Sequence, residues 1–330
     1  MHDLREFIQD VKKIVEKHNT GEIGGYIRLL PDAGNENGEM TADVYGCSCA
    51  ANILYTINEF PIMQNEREQF IKKLQSFQNK ENGLFENPGN YETHTTAFVS
   101  GALDLFDARP LYQGEGLADY KNKESLFHFM DEIDWKQAPW LGSHLGAGIY
   151  ASMLLTGMAT DEWEDAYFEW LDNNADSKTG LWRKGALGVA DPFHYLAGTF
   201  HYVFNYEYAK RKLPYPKELL NTCIEAYYDG VCMDFTKEMG WADIDYSYLL
   251  ARVQRRAGVQ YEESQKILKE IADGLIHQLK SMDLTNAKIA LDLNTLFAIV
   301  SALAVLQDAL PGYIRTSKPL RLVLDKRPFL

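Results

Sequence analysis

Two carboxylates stand one residue apart in Asp243-Ile244-Asp245, and three histidines, His94, His144 and His194, recur at intervals of 50 residues. Carboxyl and imidazole groups are the side chains best able to exchange protons near neutral pH, so this set suits general acid–base chemistry. In an opening helical turn the two carboxylates diverge, and one can cap the helix while the other faces a cavity. A carboxyl in a largely apolar funnel keeps its proton to higher pH, because burial disfavours its charge. Asp245 is the expected general acid, with Asp243 beside it and Asp43 or Asp191 as base or stabiliser. His94, His144 and His194 are expected to position substrate or relay protons. If the reaction is hydrolysis, a spacing of about 5–5.5 Å between the working carboxyls means retention, and about 6.5–9.5 Å means inversion.

These residues share a register. Tyr45, His94, His144, His194, Asp245 and Asn294 each open a long apolar stretch, about one every 50 residues. The apolar stretches predict helices over 43–59, 94–107, 143–156, 192–211, 243–256 and 292–310. Amphipathic, charged helices are expected between them, over 3–17, 65–77, 121–133, 161–173, 216–228 and 261–281. A repeat of helical pairs buries its faces against neighbouring repeats. The expected fold is therefore all-α, an (α/α)6 toroid of six helical pairs spanning 1–330 as one domain. Its apolar helices would form the inner wall. An open solenoid would need polar capping helices at its ends, whereas the last predicted helix is among the most apolar.

The chain has 330 residues, 46% of them hydrophobic and 24% charged, which is enough to bury a large core. A net charge of −14 argues against nucleic acid or an anionic membrane as the main partner. The N-terminal segment is amphipathic and lacks an apolar leader, no run of about 18 apolar residues occurs, and four cysteines are too few for a disulfide scaffold. A cytoplasmic protein with buried thiols and a small-molecule substrate is expected.

Two loops carry a Gly followed by two large apolar residues ahead of an inner helix: Gly83-Leu84-Phe85 and Gly180-Leu181-Trp182. Gly25-Tyr26-Ile27 is a looser third copy. The stretch from Gln75-Ser76-Phe77-Gln78 through Gly83-Leu84-Phe85, Pro88-Gly89 and Glu92-Thr93-His94 resembles the repeat of the squalene cyclases and protein prenyltransferases. The resemblance implies an α/α toroid. In type II terpenoid cyclases a similar helix start reads Asp-x-Asp-Asp, and its third residue donates the proton. That role would fall on Asp245, and the fourth position here is Tyr246. Prenyltransferase zinc is held by an Asp, a Cys two residues on and a distant His; this sequence has no Asp-x-Cys.

On the toroid reading, Asp43, Glu92, His94, His144, Asp191, His194, Asp243 and Asp245 gather at the helix starts, where backbone N–H groups favour anions. Capping is the plainer reading of each acid taken alone. His201 lies two turns beyond His194 on the same face and reads as a core histidine. No metal or other cofactor is expected. Inner helices about 8–10 Å apart place the first and third of three successive histidines too far apart to share one ion. Tyr26, Phe85, Trp140, Trp182 and Trp241 precede inner helices and could stack on a sugar ring or stabilise a carbocation. Tyr45, Tyr246 and Asn294 complete the expected substrate contacts.

A ring of polar groups would be costly against a hydrocarbon. The leading expectation is thus a hydrolase or lyase acting on a carbohydrate-like small substrate. A terpenoid cyclase or prenyl-substrate enzyme using Asp245, and a non-catalytic binding toroid, are the alternatives.

Overall fold

The computed structural model describes residues 1–31, 40–185, 189–231 and 238–330. Within them the protein is built of α-helices, with two short strands. The apolar helices are α2 (Val44–Thr56), α4 (Glu92–Leu105), α6 (Pro139–Leu155), α8 (Pro192–Tyr208), α10 (Trp241–Ala257) and α12 (Leu293–Ala309). The amphipathic ones are α1 (Arg5–Lys17), α3 (Gln64–Gln75), α5 (Lys123–Glu132), α7 (Asp161–Asn174), α9 (Pro216–Tyr228) and α11 (Tyr261–Lys280). The strict alternation follows the two kinds of sequence pattern. In α1 only Ile8, Val11, Ile14 and Val15 are buried, along one stripe, whereas nearly every residue of α2 and α4 is buried. Helix starts are fixed chemically. The side chains of Asp43, Asn122, Thr160, Asp191 and Asp292 each accept an N–H from the first turn they precede. Helix α6 begins at Pro139, earlier than the Ser143 start read from sequence, because a proline is at home in a first helical turn.

Contacts divide the chain into two compact units. The first comprises Met1–Phe77, Met233–Ala251 and Glu262–Val323, and the second Gln78–Cys232, Arg252–Tyr261 and Leu324–Leu330. In the first unit α12 packs along α2. Strand β1 (His2–Asp3) pairs in parallel with β2 (Ile314–Arg315). Residues 28–30 run against 291–293, with Leu30 donating to Leu291 O and Leu293 to Arg28 O. Buried His18 bridges the same seam, its two ring nitrogens lying 2.8 Å from Ile27 O and 3.0 Å from Ala290 O.

In the second unit α4, α6 and α8 pack in succession, and α5 lies against α7. Glycine makes the close approaches possible. A Cβ at Gly148 would stand 3.2 Å from the backbone of Thr93 and His94, and one at Gly198 would stand 2.8 Å from Pro139 O. Ser152 Oγ donates to Thr93 O at 2.7 Å, tying α6 to the start of α4.

The three Gly-containing loops are built alike. Single antiparallel bridges close them at Asn19–Tyr26, Gln78–Phe85 and Ala175–Trp182. Gly24, Gly83 and Gly180 each take a positive φ, a backbone shape that glycine adopts without penalty. The N–H of the aromatic residue then donates into the following inner helix: Phe85 to Thr96 Oγ1 at 2.9 Å, Trp182 to Thr199 Oγ1 at 3.3 Å, and Tyr26 to Cys47 Sγ at 3.4 Å. Gln78 anchors its loop with all of its amide, donating to Gly83 O and Tyr112 O and accepting from Leu111 and Tyr112 N–H.

Candidate functional site

In the first unit the carboxylates meet different fates. Asp43 caps α2: its Oδ1 accepts from Gly46 N at 2.7 Å and its Oδ2 from Arg28 N at 2.6 Å. Both oxygens are thereby committed to backbone. Arg28 reaches on to Asp292, with Nε donating to Oδ1 at 3.0 Å and Nη2 to Oδ2 at 3.2 Å, and lies over the ring of Tyr45 at 5.7 Å. Asp292 also caps α12 through Asn294 N, and the Cys49 thiol donates to Asn294 Oδ1. Tyr45 and Asn294 therefore belong to an ion-paired seam between two helix starts, a device that sequence spacing did not reveal because Arg28 lies in a loop. Burial pushes the Cys47 thiol up to about 12, which makes it an inert core group.

Asp243 and Asp245, at the start of α10, separate as the divergence of their side chains requires. Asp245 is 1% exposed and Tyr246 is buried with it. Asp243 is partly exposed, and its Oδ2 accepts from Gly240 N at 2.7 Å. Burial is the main influence on Asp243 and pushes its carboxyl up to about 6, against the opposing pull of that hydrogen bond. Trp241, also partly exposed, packs edge-on to Phe297 at 5.9 Å.

The second unit gathers imidazoles. The rings of His94 and His144 are 4.6 Å apart and those of His144 and His201 are 5.0 Å apart. Burial pushes His144 down to about 4 and, joined by the neighbouring rings, holds His94 and His201 well below the usual histidine range. All three are neutral at pH 7. Ser143 has one hydroxyl hydrogen, which it gives to Trp140 O at 2.5 Å, so the 2.9 Å contact with His201 is His201 Nδ1–H donating to Ser143 Oγ. That leaves the basic lone pair of His201 on Nε2, and it makes Ser143 a positioning group rather than a nucleophile.

The histidine that joins the pair from α4 and α6 is His201, not His194. His194 sits a further two turns back toward the helix start, in a partly exposed cluster with Trp140 at 5.6 Å and with Phe193, itself 5.6 Å from Trp140. Asp191 is exposed and caps α8 through Phe193 N at 2.9 Å, and Glu92 is exposed in the first turn of α4. Tyr26, Phe85 and Trp182 are buried in the repeated loops, at 8%, 0% and 1% exposure, so these three serve as packing and not as open stacking faces. Trp140 and Trp241 remain accessible.

The residues 326–330 also enter the imidazole cluster. Phe329, fully buried, meets His94 edge-on at 5.2 Å and Phe204 at 5.6 Å, and lies nearly parallel to His201 at 6.5 Å.

No family model matches this sequence. No curated protein matches it either. Among the described residues no group of three or more His, Cys, Asp or Glu side chains is arranged to hold a metal ion, and no helix is long and apolar enough to cross a membrane. Two features of the described residues hold ionisable groups away from their ordinary values: the Asp243 carboxyl, pushed up to about 6, and the neutral imidazoles of α4, α6 and α8.

Proposed function

We propose that the protein is a hydrolase or lyase acting on a small carbohydrate-like substrate, and that the six apolar and six amphipathic helices among its described residues form an (α/α)6 toroid. The alternation of the two helix types supports the toroid, as do the succession α4, α6, α8 in one unit and the pairing of α2 with α12 in the other. The observation that carries the enzymatic reading is Asp243. A carboxyl pushed up to about 6 and still partly exposed can give a proton to a leaving oxygen and take one back within the physiological range. Asp243 thus takes the general-acid role, which the buried Asp245 cannot reach solvent to fill. Neutral His94 and His144 keep partly exposed edges, and since burial weakens them as bases they suit hydrogen bonding to a substrate rather than proton abstraction. The accessible cluster of Trp140, Phe193 and His194 suits the apolar face and the hydroxyls of a sugar ring.

One observation favours a second reading. The surroundings of His94 and His201 are strongly aromatic, with Phe98, Phe200, Phe204 and Phe329 in ring contact, an environment compatible with the carbocations of a terpenoid cyclase. Thermal shift with neutral oligosaccharides, uronic acids and isoprenoid diphosphates, followed by turnover assays on each stabilising class, separates the two. A ligand at 100 times its Kd adds about 2.7 kcal/mol to stability and is readily seen. Stabilisation by sugars, with turnover lost in Asp243→Asn, supports the hydrolase or lyase. Stabilisation by isoprenoids alone overturns it, and sugar binding without turnover leaves a binding protein.

A further inference from the structure

We infer that the pocket between α4, α6 and α8 is a binding site for a ligand carrying an aromatic ring next to a carbonyl, and that Pro328-Phe329 fills it as a removable intramolecular occupant. This inference concerns residues of the second unit and does not depend on the role given to Asp243.

The pocket recognises two features at once. Asn205 Nδ2 donates to Pro328 O at 2.9 Å, a carbonyl that can only accept, and this turns the amide oxygen of Asn205 to Tyr167 Oη at 2.9 Å, whose one hydrogen is shared with Gly146 O. Beyond that carbonyl, the ring of Phe329 is met edge-on by His94 and Phe204 and faced by His201, the arrangement aromatic rings prefer. These are recognition elements for a carbonyl followed by a flat apolar ring, as in an aryl amide or a peptide ending in an aromatic residue.

Residues 327–330 are buried, but their backbone is sparsely hydrogen-bonded. Beyond the 3-10 turn Val323–Asp325 the chain has no regular structure. Among the described residues one hydrogen bond, from Asn205, ties Pro328, Phe329 and Leu330 to the helices. The flanking anchors are ion pairs at the surface, Lys326 with Asp107 at 2.7 Å and Arg252 with Asp325 at 2.7 Å, whose acids are 77% and 60% exposed. Such pairs contribute little and are screened by salt. Arg327 is the firmer contact: it is fully buried, lies against Gly101 and over Phe98 at 5.5 Å, and its Nη1 donates to Phe98 O at 3.4 Å. Lacking the regular backbone hydrogen bonds of the helices, the segment is expected to open at lower free energy than they do despite its burial.

Hydrogen exchange of the wild-type chain tests detachability. The amides of Arg327, Phe329 and Leu330 are expected to exchange at least tenfold faster than the slowest amides of α4, α6 and α8, and faster still at high salt. Exchange of both sets at one common rate would show the segment to be a fixed part of the core and would overturn the proposal. The second measurement titrates N-acetyl-prolyl-phenylalaninamide into wild type, Phe329→Ala and the double variant Phe329→Ala/Asn205→Leu. The proposal requires Phe329→Ala to remain folded and to bind at least tenfold more tightly than wild type, with the gain reduced in the double variant. A folded Phe329→Ala that does not bind, or a gain untouched by loss of the Asn205 donor, which marks a merely filled void, overturns it. An unfolded Phe329→Ala does so as well.

Discussion

The hydroxyl of Thr96 holds the backbone N–H of Phe85 at 2.9 Å. Thr199 does the same for Trp182, and Cys47 for Tyr26, so one hydrogen bond recurs in three loops with its acceptor on three different helices. The contact joins a buried loop aromatic to the inner helix that follows it, and it explains why the helix carries a small polar residue among apolar ones. Replacing Thr96 by Val keeps the shape and removes the acceptor, leaving a buried N–H unpaired. We expect a loss of about 1–3 kcal/mol in denaturant unfolding, and near-recovery in Thr96→Ser. Equal stability of Thr96→Val and wild type would rule out this role.

Asp243 should add its own pH-dependent contribution to stability on the acid side of neutrality. Its folded carboxyl holds the proton up to about 6, above the unfolded range near 4, so the native state binds the proton more tightly. The Asp243 contribution is fully present below about pH 4, is lost as pH rises from about 4 through 6, and is absent above. The change is about 2 kcal/mol. Asp243→Asn retains an acceptor for Gly240 N–H and should abolish the decline. If Asp243 is the general acid, kcat of the wild type falls above pH 6 and the Asn variant is inactive at every pH.

The imidazole cluster predicts the opposite slope over nearly the same window, so each contribution is read from the difference between wild type and its own variant. Burial lowers His144 to about 4 from an ordinary value of 6.5, so the folded state binds its proton less tightly than the unfolded state does. Its contribution is complete above pH 6.5 and is lost as pH falls from 6.5 through about 4. Discounted for its partly exposed edge, the loss is about 2 kcal/mol. His144→Gln should shift the acid-unfolding midpoint to lower pH. An unchanged midpoint would mean that the cluster protonates without strain.

Glycine substitutions should rank by what a Cβ would meet. Gly89 has a positive φ and open space, so Gly89→Ala should cost about 1 kcal/mol. Gly198→Ala would press on Pro139 O from 2.8 Å and should cost about 1–3 kcal/mol. Gly83→Ala combines a φ of +72° with a Cβ only 1.7 Å from Gln113 O and should be the most damaging. A different order in urea midpoints would contradict the packing described.

The sequence by itself determined the helices and their kind. Burial on one stripe or all round writes a different periodicity into the chain, and the caps at Asp43, Asp191 and Asp292 are local hydrogen bonds between residues a few positions apart. The repeated loops were legible for the same reason, since a positive φ at Gly83 or Gly180 and an aromatic two residues on are local requirements. Tertiary structure decided which residues meet. His144 lies in the second turn of α6 because that helix begins at Pro139, and α8 consequently offers His201 to it while His194 stays near the surface with Trp140. The depth of a side chain depends on how far one helix is shifted along its neighbour, which no pattern within either helix records. The seating of Phe329 among imidazoles more than 100 positions away, and the choice of Asp243 over Asp245 as the accessible carboxyl, likewise arise from packing between distant segments.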